Sequence, residues 1–211
     1  MVALLARVLT GSIAFAMAVK SICVFAGSSG GSDPEFANAA RALGAALVTK
    51  QYGLVYGGAS VGLMGIVADT VLAAGGRVVG VMPGFLATKE IAHAGLSELK
   101  ITASMHERKQ AMAGLADGFI ALPGGFGTLE EFFEVITWTQ LGLHAKPCAL
   151  LNVNGYYDSL LHFLDTAVSK KLLKPESRAM VLVSAEPLAL LDQMQRYTPP
   201  AITKWISIER S

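Results

Sequence analysis

Two short stretches of this chain combine residue types that could do chemistry. One is Pro123-Gly124-Gly125-Phe126-Gly127-Thr128, which runs on into Leu129-Glu130-Glu131; the other is Ser104-Met105-His106-Glu107-Arg108-Lys109. A glycine-rich turn that feeds a helix presents unpaired backbone N–H groups and the positive end of the helix dipole, which together suit a phosphate. Gly57-Gly58 through Gly62 is a second turn of this form. Neither matches the dinucleotide pattern G-x-G-x-x-G, and no G-K-[ST] P-loop is present. Each turn alone also satisfies the simpler need of chain reversal. Two on one sheet edge favour a ligand the size of a nucleotide.

The charged residues beside these turns have competing explanations. Thr128 and Glu131 stand at capping-box spacing, which makes Glu131 a helix cap and Glu130 a dipole-friendly surface acid. The helical wheel complicates this. Leu129, Phe132, Phe133 and Ile136 form a core stripe, while Glu131 lies nearly opposite, in line with Val135, Trp138 and Gly142. A second apolar face is not what a solvent-facing helix shows, and it suggests a contact between copies with Glu131 partly desolvated at its edge. Ser104 and Glu107 form another capping box, so Glu107 reads as structural. Arg108 and Lys109 oppose the dipole of the helix they open, and such a broken local rule is expected at functional sites. Arg would supply a planar clamp for phosphate or carboxylate and Lys a point charge beside it, the alternative being a solvated face.

These residues need a scaffold, and the chain alternates strand and helix patterns throughout. Short apolar strands read at Ser21–Ala26, Leu54–Tyr56, Arg77–Met82, Leu99–Thr102, Gly118–Leu122, Pro147–Val153 and Met180–Val183. Helices read from Ser32 (with Glu35 completing a capping box and Phe36, Ala40, Leu43 and Leu47 as its stripe), over Ile66–Ala74, Ser104–Ala116, from Gly127 to about Leu143, over Tyr156–Leu173, and from Glu186. Continuous apolar strands between helices predict a Rossmann-like α/β fold: one doubly wound parallel sheet with helices on both faces and right-handed crossovers. Ligands of such sheets bind beyond the carboxyl ends of the strands. There the sequence puts its glycines, after Ala26, Tyr56, Met82 and Leu122, which adds Gly27, Ser28, Gly57 and Gly58 as candidate contacts.

Composition narrows the function classes. The 211 residues suit a single α/β domain, 53% are hydrophobic and 16% charged, and 17 basic against 16 acidic residues leave a net charge of +1. That balance excludes intrinsic disorder and lacks the basic excess or stripe of a nucleic-acid or anionic-membrane binder. Two cysteines, Cys23 and Cys148, lie in apolar strand patterns, which points to a reduced, cytoplasmic setting. The twelve uncharged residues Val8–Val19 fall short of the roughly 20 that a membrane-spanning helix needs. Their length and Ala16-Met17-Ala18 resemble a signal peptide, but the charged region ahead is thin, so residues 1–20 read as a dispensable extension or added helix, with export the minor alternative. Residues 21–195 then form the domain and 196–211 a tail. His93, His106, His144 and His162 show no paired ligand spacing, so no metal and no other cofactor is expected.

Met105-His106-Glu107-Arg108-Lys109 followed by Pro123-Gly124-Gly125-Phe126-Gly127-Thr128-Leu129-Glu130-Glu131 resembles the LONELY GUY (LOG) family, whose signature is P-G-G-x-G-T-x-x-E with an upstream M-H-E-R-K. The resemblance runs from Ser21 to Leu191 and includes Cys23-Val24-Phe25-Ala26-Gly27-Ser28-Ser29. It implies a cytokinin riboside 5′-monophosphate phosphoribohydrolase, which cuts the N-glycosidic bond of N6-modified AMP to free base and ribose 5-phosphate. Relatives long labelled lysine decarboxylases include hydrolases of plain nucleoside monophosphates. Carried over by motif, Arg108 and Glu131 match the catalytic pair. Glu90 (in Met82-Pro83-x-x-Leu86-x-x-x-Glu90), Lys109, Gly124, Gly125, Phe126, Gly127, Thr128, Leu129, Glu130 and Thr137 match substrate contacts. The resemblance also implies a homodimer with sites beside the subunit contact. Phe126 stands where Tyr is usual, and Phe-Ala-Gly where Phe-Cys-Gly is common. The competing expectations are action on unmodified AMP and a non-catalytic nucleotide or molybdopterin carrier. Lysine decarboxylation would need a Schiff-base lysine, and nothing marks Lys50, Lys89 or Lys109 as one.

Overall fold

Every second side chain of an apolar strand must find a different face to bury against, and the first strand shows how this chain meets that demand. In β1 (Ser21–Phe25), Ile22 and Val24 enter one core while Cys23 and Phe25 enter another on the opposite side of the sheet. The computed structural model describes residues 20–87 and 92–200. Glu90 and Lys89, and the expected N-terminal extension but for Lys20, lie outside the described residues, as do residues 201–211 of the expected tail.

Beyond β1 the order is α1 (Pro34–Thr49), β2 (Gly53–Tyr56), α2 (Gly62–Ala73), β3 (Val78–Pro83), α3 (Gly84–Ala87), β4 (Glu98–Thr102), α4 (Met105–Leu115), β5 (Gly118–Ala121), α5 (Phe126–Gln140), β6 (Cys148–Leu151), α6 (Asp158–Ser169), α7 (Pro175–Arg178), β7 (Val181–Ser184) and α8 (Pro187–Gln195). The seven strands form one sheet in the order β4-β3-β2-β1-β5-β6-β7, and each neighbouring pair is parallel. This is the doubly wound α/β architecture expected from the alternation of patterns. Helices α1, α2 and α8 cover one face through Leu43, Leu47, Val67, Val71, Leu190 and Met194. Helices α4, α5 and α6 cover the other through Met112, Phe132, Val135, Ile136 and Leu164. No helix among the described residues is long and apolar enough to cross a membrane.

Strand order reverses at β1, whose partners are β2 on one side and β5 on the other. The loops leaving β1 and β5 must therefore part to opposite faces, which opens a crevice between them. They stay joined at its floor, where the Gly27 amide donates to the Pro123 carbonyl at 3.1 Å. The Leu63 amide donates to the Gly27 carbonyl at 3.0 Å, which brings the start of α2 against the same loop. Gly62 makes that approach possible. Its φ is +58°, and a Cβ there would lie 2.3 Å from the Ser28 carbonyl carbon, so only glycine suits both the turn and the contact.

Three local expectations are corrected. Helix α1 is capped by Asp33, whose carboxylate accepts from the Glu35 amide at 2.9 Å, and not by Ser32; Pro34 takes the first helical position and sets the start one residue later. Helix α5 opens at Gly125 with no side-chain cap, so Thr128 and Glu131 form no capping box. Thr128 is buried inside the first turn, and Glu131 turns its carboxylate elsewhere. The second apolar face read on α5 also dissolves within one chain: Val135 is 3% exposed and Trp138 packs against the same core as Phe132. The capping box of α4 does form, with Ser104 Oγ accepting from the Glu107 amide and the Glu107 carboxylate from the Ala103 amide.

Candidate active site

The N-terminal turn of α5 is the centre of the candidate site. Gly124 is required by close packing: a Cβ there would lie 2.1 Å from Thr128 Oγ1 and 2.9 Å from the Gly27 amide nitrogen. Gly125 and Gly127 are different. Nothing lies within 4 Å of where their Cβ atoms would be, neither has a positive φ, and both are exposed along with Phe126. No internal contact explains why these positions lack side chains. A bare backbone at the open end of a helix, with its first amides unpaired by the helix itself, is what close approach of an anion requires.

One turn further along, Glu131 meets Arg108 from α4. Arg108 Nη1 donates to Glu131 Oε1 at 2.8 Å, with side-chain exposures of 11% and 12%. Arg108 Nε donates to the Val81 carbonyl at the carboxyl end of β3, at 3.1 Å. Its third edge, Nη2, fits over Gly57, where a Cβ would come within 2.3 Å. The guanidinium is thus held on three sides and cannot rotate without breaking a contact. Gly57 enters the site by making room for Arg108, while Gly58 (φ +80°) turns the chain beside it and accepts from the His93 amide. Burial pushes the Glu131 carboxyl above the ordinary value of 4.5, against the pull of Arg108 and with help from Glu130. On β1, burial and the nearby Glu131 push the Cys23 thiol well above its usual range, which leaves it inert as a nucleophile.

The remaining expected residues divide between two flanks. Lys109 Nζ bridges Glu130 Oε1 at 2.5 Å and Glu134 Oε1 at 3.1 Å, tying α4 to α5. Thr137 is exposed on the same side of α5 as Glu130 and Glu134, its hydroxyl donating to the Phe133 carbonyl. It lies ten residues beyond Gly127, about 15 Å along the axis, against about 6 Å for Glu131. Leu129 packs partly buried against the α4–α5 core. Across the α5 terminus from Arg108 and Glu131 lies a cleft of about 450 Å³ between the β1 and β5 loops, lined by Gly27, Ser28, Ser32, Phe36, Gly124 and Tyr156 among others. Gly27, Ser28, Gly124 and Gly125 line it, whereas Arg108 and Glu131 do not.

Sequence reasoning missed three participants. The Val81 carbonyl carries no side-chain signal at all. Gly57 was read as a phosphate turn, since nothing local links it to Arg108. Tyr156 was read only as a helix start, although the preceding Asn154-Gly155 marks a tight turn that delivers a tyrosine to the crevice.

Comparison with known proteins identifies relatives of this chain. The family profile described as "Possible lysine decarboxylase" matches residues 64–194. Cytokinin riboside 5′-monophosphate phosphoribohydrolase LOG7 of Arabidopsis thaliana is 51% identical over 180 residues, covering 85% of this chain and 83% of that protein. Probable cytokinin riboside 5′-monophosphate phosphoribohydrolase LOGL6 of Oryza sativa subsp. japonica is 49% identical over 180 residues, covering 85% and 72%. Among solved structures, the molybdenum cofactor binding protein of Rippkaea orientalis superposes with a TM-score of 0.62 at 21% identity, covering 85% of this chain and 98% of that one. The molybdenum cofactor carrier protein of Chlamydomonas reinhardtii gives 0.62 at 22% identity, covering 84% and 99%. At that identity the likeness is one of fold.

Proposed function

Since the chain belongs to the possible lysine decarboxylase family, alongside the cytokinin riboside 5′-monophosphate phosphoribohydrolases, we propose that it is a hydrolase that splits the N-glycosidic bond of an adenosine 5′-monophosphate carrying an N6 substituent. The products are the free base and ribose 5-phosphate. One observation carries the assignment of roles: a buried Arg108–Glu131 pair one helical turn beyond an open helix terminus whose Gly125 and Gly127 carry no side chain. That turn, about 6 Å, approximates the reach from a 5′-phosphorus to the anomeric carbon of the same ribose. A phosphate on the Gly125–Thr128 amides therefore brings C1′ over Glu131.

Breaking the C1′–N9 bond builds positive charge on the ribose ring and negative charge on the purine. Glu131, in its ionised form beneath the ring, stabilises the oxocarbenium-like transition state and orients the water that attacks C1′. Arg108 occupies Oε1, and Oε2 is the oxygen assigned to the sugar or the water. The water's oxygen bonds to C1′, one of its protons passes to Glu131 and on to solvent, and the departing purine nitrogen takes up a proton. Arg108 fixes the carboxylate and offsets charge around the base. Phosphate binding far from the breaking bond provides orientation, which is where a site with so few chemical groups gains most of its rate.

Incubation with N6-isopentenyl-AMP and with AMP tests the reaction, with chromatography for free base and ribose 5-phosphate. Faster release of isopentenyladenine supports the stated substrate, faster release of adenine would move the assignment to plain nucleoside monophosphates, and no base from either would leave a carrier role. A pH profile tests the role of Glu131. The carboxylate must be ionised to act and burial raises its pKa, so the acid limb of kcat/KM is expected above pH 4.5, the ordinary carboxyl value. The sign for stability is opposite. A carboxyl with a raised folded pKa contributes most below its unfolded pKa and loses that contribution as pH rises through the folded value. Acidification should remove activity through Glu131 before it removes the fold, which melts followed alongside rates will show.

The same reading takes residues 21–195 as the catalytic unit, in the cytoplasm, where Cys23 and Cys148 stay as buried free thiols. It also takes the working form as a homodimer, since Phe126 at the mouth of the site is 94% exposed and suited to cover by a second copy. The mass in solution checks that assembly.

A further inference from the structure

The segment after β6 is built more tightly than a surface connection needs. Asn154 and Gly155 both adopt left-handed backbone, with φ of 49° and 72°. Asn-Gly is the pair best suited to two successive left-handed residues, and side-chain bonds lock the turn further. Asn152 Oδ1 accepts from the Tyr157 amide at 2.7 Å, and Asn152 Nδ2 donates to Asp158 Oδ1 at 2.7 Å. Asn154 Nδ2 donates to Asp33 Oδ2 at 3.0 Å, so the turn is bolted to the cap of α1. The outcome is the placement of two tyrosines. Tyr157 is buried and donates to the Leu122 carbonyl at 2.7 Å. Tyr156 lines the cleft, packs edge-on against Phe36 with centroids 5.4 Å apart, and donates to the Gly124 carbonyl at 2.8 Å.

We infer that Tyr156 is a positioning residue for phosphate recognition: its hydroxyl locks the Gly124–Gly125 peptide so that the Gly125 N–H faces the bound 5′-phosphate. The inference rests on the phosphoribohydrolase reading of the site. In a trans peptide the C=O and the following N–H point in opposite directions within one plane. Holding the Gly124 carbonyl toward Tyr156 therefore aims the Gly125 N–H away from it. Both residues flanking this peptide are glycines, and glycine pairs have the lowest barrier to rotating a peptide plane end over end. Without the hydroxyl, that donor is presented only part of the time, and affinity falls by the fraction of time it is absent. Stability is a poor explanation for the bond, since Tyr156 is 43% exposed and water can replace its hydroxyl there.

Tyr156→Phe tests this, because it keeps the ring against Phe36 and removes only the donor. Calorimetric titration of ribose 5-phosphate into wild type and variant is expected to show binding weaker by about tenfold, the worth of one net hydrogen bond. KM for the nucleotide should rise by a similar factor with kcat within about twofold, and affinity for adenosine, which has no phosphate, should not change. Equal ribose 5-phosphate affinity in the two proteins overturns the inference, as does a fall in kcat with KM unmoved, or a wild type that does not bind ribose 5-phosphate. A wild type that binds ribose 5-phosphate but releases base from no nucleotide overturns the hydrolase reading instead, and the two titrations still decide the role of Tyr156.

Discussion

Glu131→Gln is expected to reduce base release by about 10³-fold or more, the scale on which one electrostatic or general-base group contributes to a transition state. The substitution preserves volume, and the amide oxygen can still accept from Arg108 Nη1, which now reaches Glu131 Oε1 at 2.8 Å. What disappears is a negative charge beneath a sugar that becomes positive only as its bond breaks. The ground-state nucleotide carries its own negative charge on the phosphate. Removing a nearby carboxylate therefore leaves binding unchanged or improves it, and the loss falls on kcat. Single-turnover rates together with nucleotide titration separate the two. Full hydrolysis by the variant, or loss of binding in parallel with rate, would remove Glu131 from the role assigned to it.

Gly57→Ala is expected to lower kcat by about 10²-fold although it removes no charged group. The added methyl would come within 2.3 Å of Arg108 Nη2, so the guanidinium must move. Nε is tied to Val81 and Nη1 to Glu131, and displacement breaks one of those ties. Misplacement of this kind, about 1 Å, is enough for a hundredfold effect where catalysis depends on orientation. The fold should tolerate the change, since Gly57 has no left-handed φ and the displaced atom ends a flexible side chain. Arg108→Ala provides the comparison. It should cost at least as much activity and also roughly 3–5 kcal/mol of stability, because Glu131 is then left buried and unpaired. A Gly57→Ala protein with wild-type rates would show that the three-sided grip on Arg108 has no catalytic role.

The elements were legible because each strand is a short apolar run and each helix a periodic stripe. Burial of Ile22, Cys23, Val24 and Phe25 on two faces is already implied by a run with no polar break. The motif stretches pointed to Arg108, Glu131 and the Gly124–Gly127 turn, and the structure brings Arg108 and Glu131 within a hydrogen bond at the end of that turn. Capping went the other way. Spacing suggested boxes at Ser32 and Thr128, yet Asp33 caps one helix and Gly125 opens the other, because a cap depends on backbone angles at one residue that spacing does not reveal. The wheel of α5 erred for a related reason: it gave the Val135–Trp138 face to a second copy, whereas within one chain Val135 is buried and Trp138 packs against the same core as Phe132.

Residue types and periods were enough to predict a parallel α/β sheet with a glycine-rich turn opening a helix, since these are local properties of the chain, and the motif resemblance singled out Arg108 and Glu131. Only folding decided that Gly57 clears space for a guanidinium 51 positions later, that the Val81 carbonyl orients it, and that Tyr156 holds a glycine carbonyl 32 residues upstream. Those contacts join segments that meet because parallel strands place all their carboxyl ends on one edge, and no pattern along a single segment encodes which of them will touch.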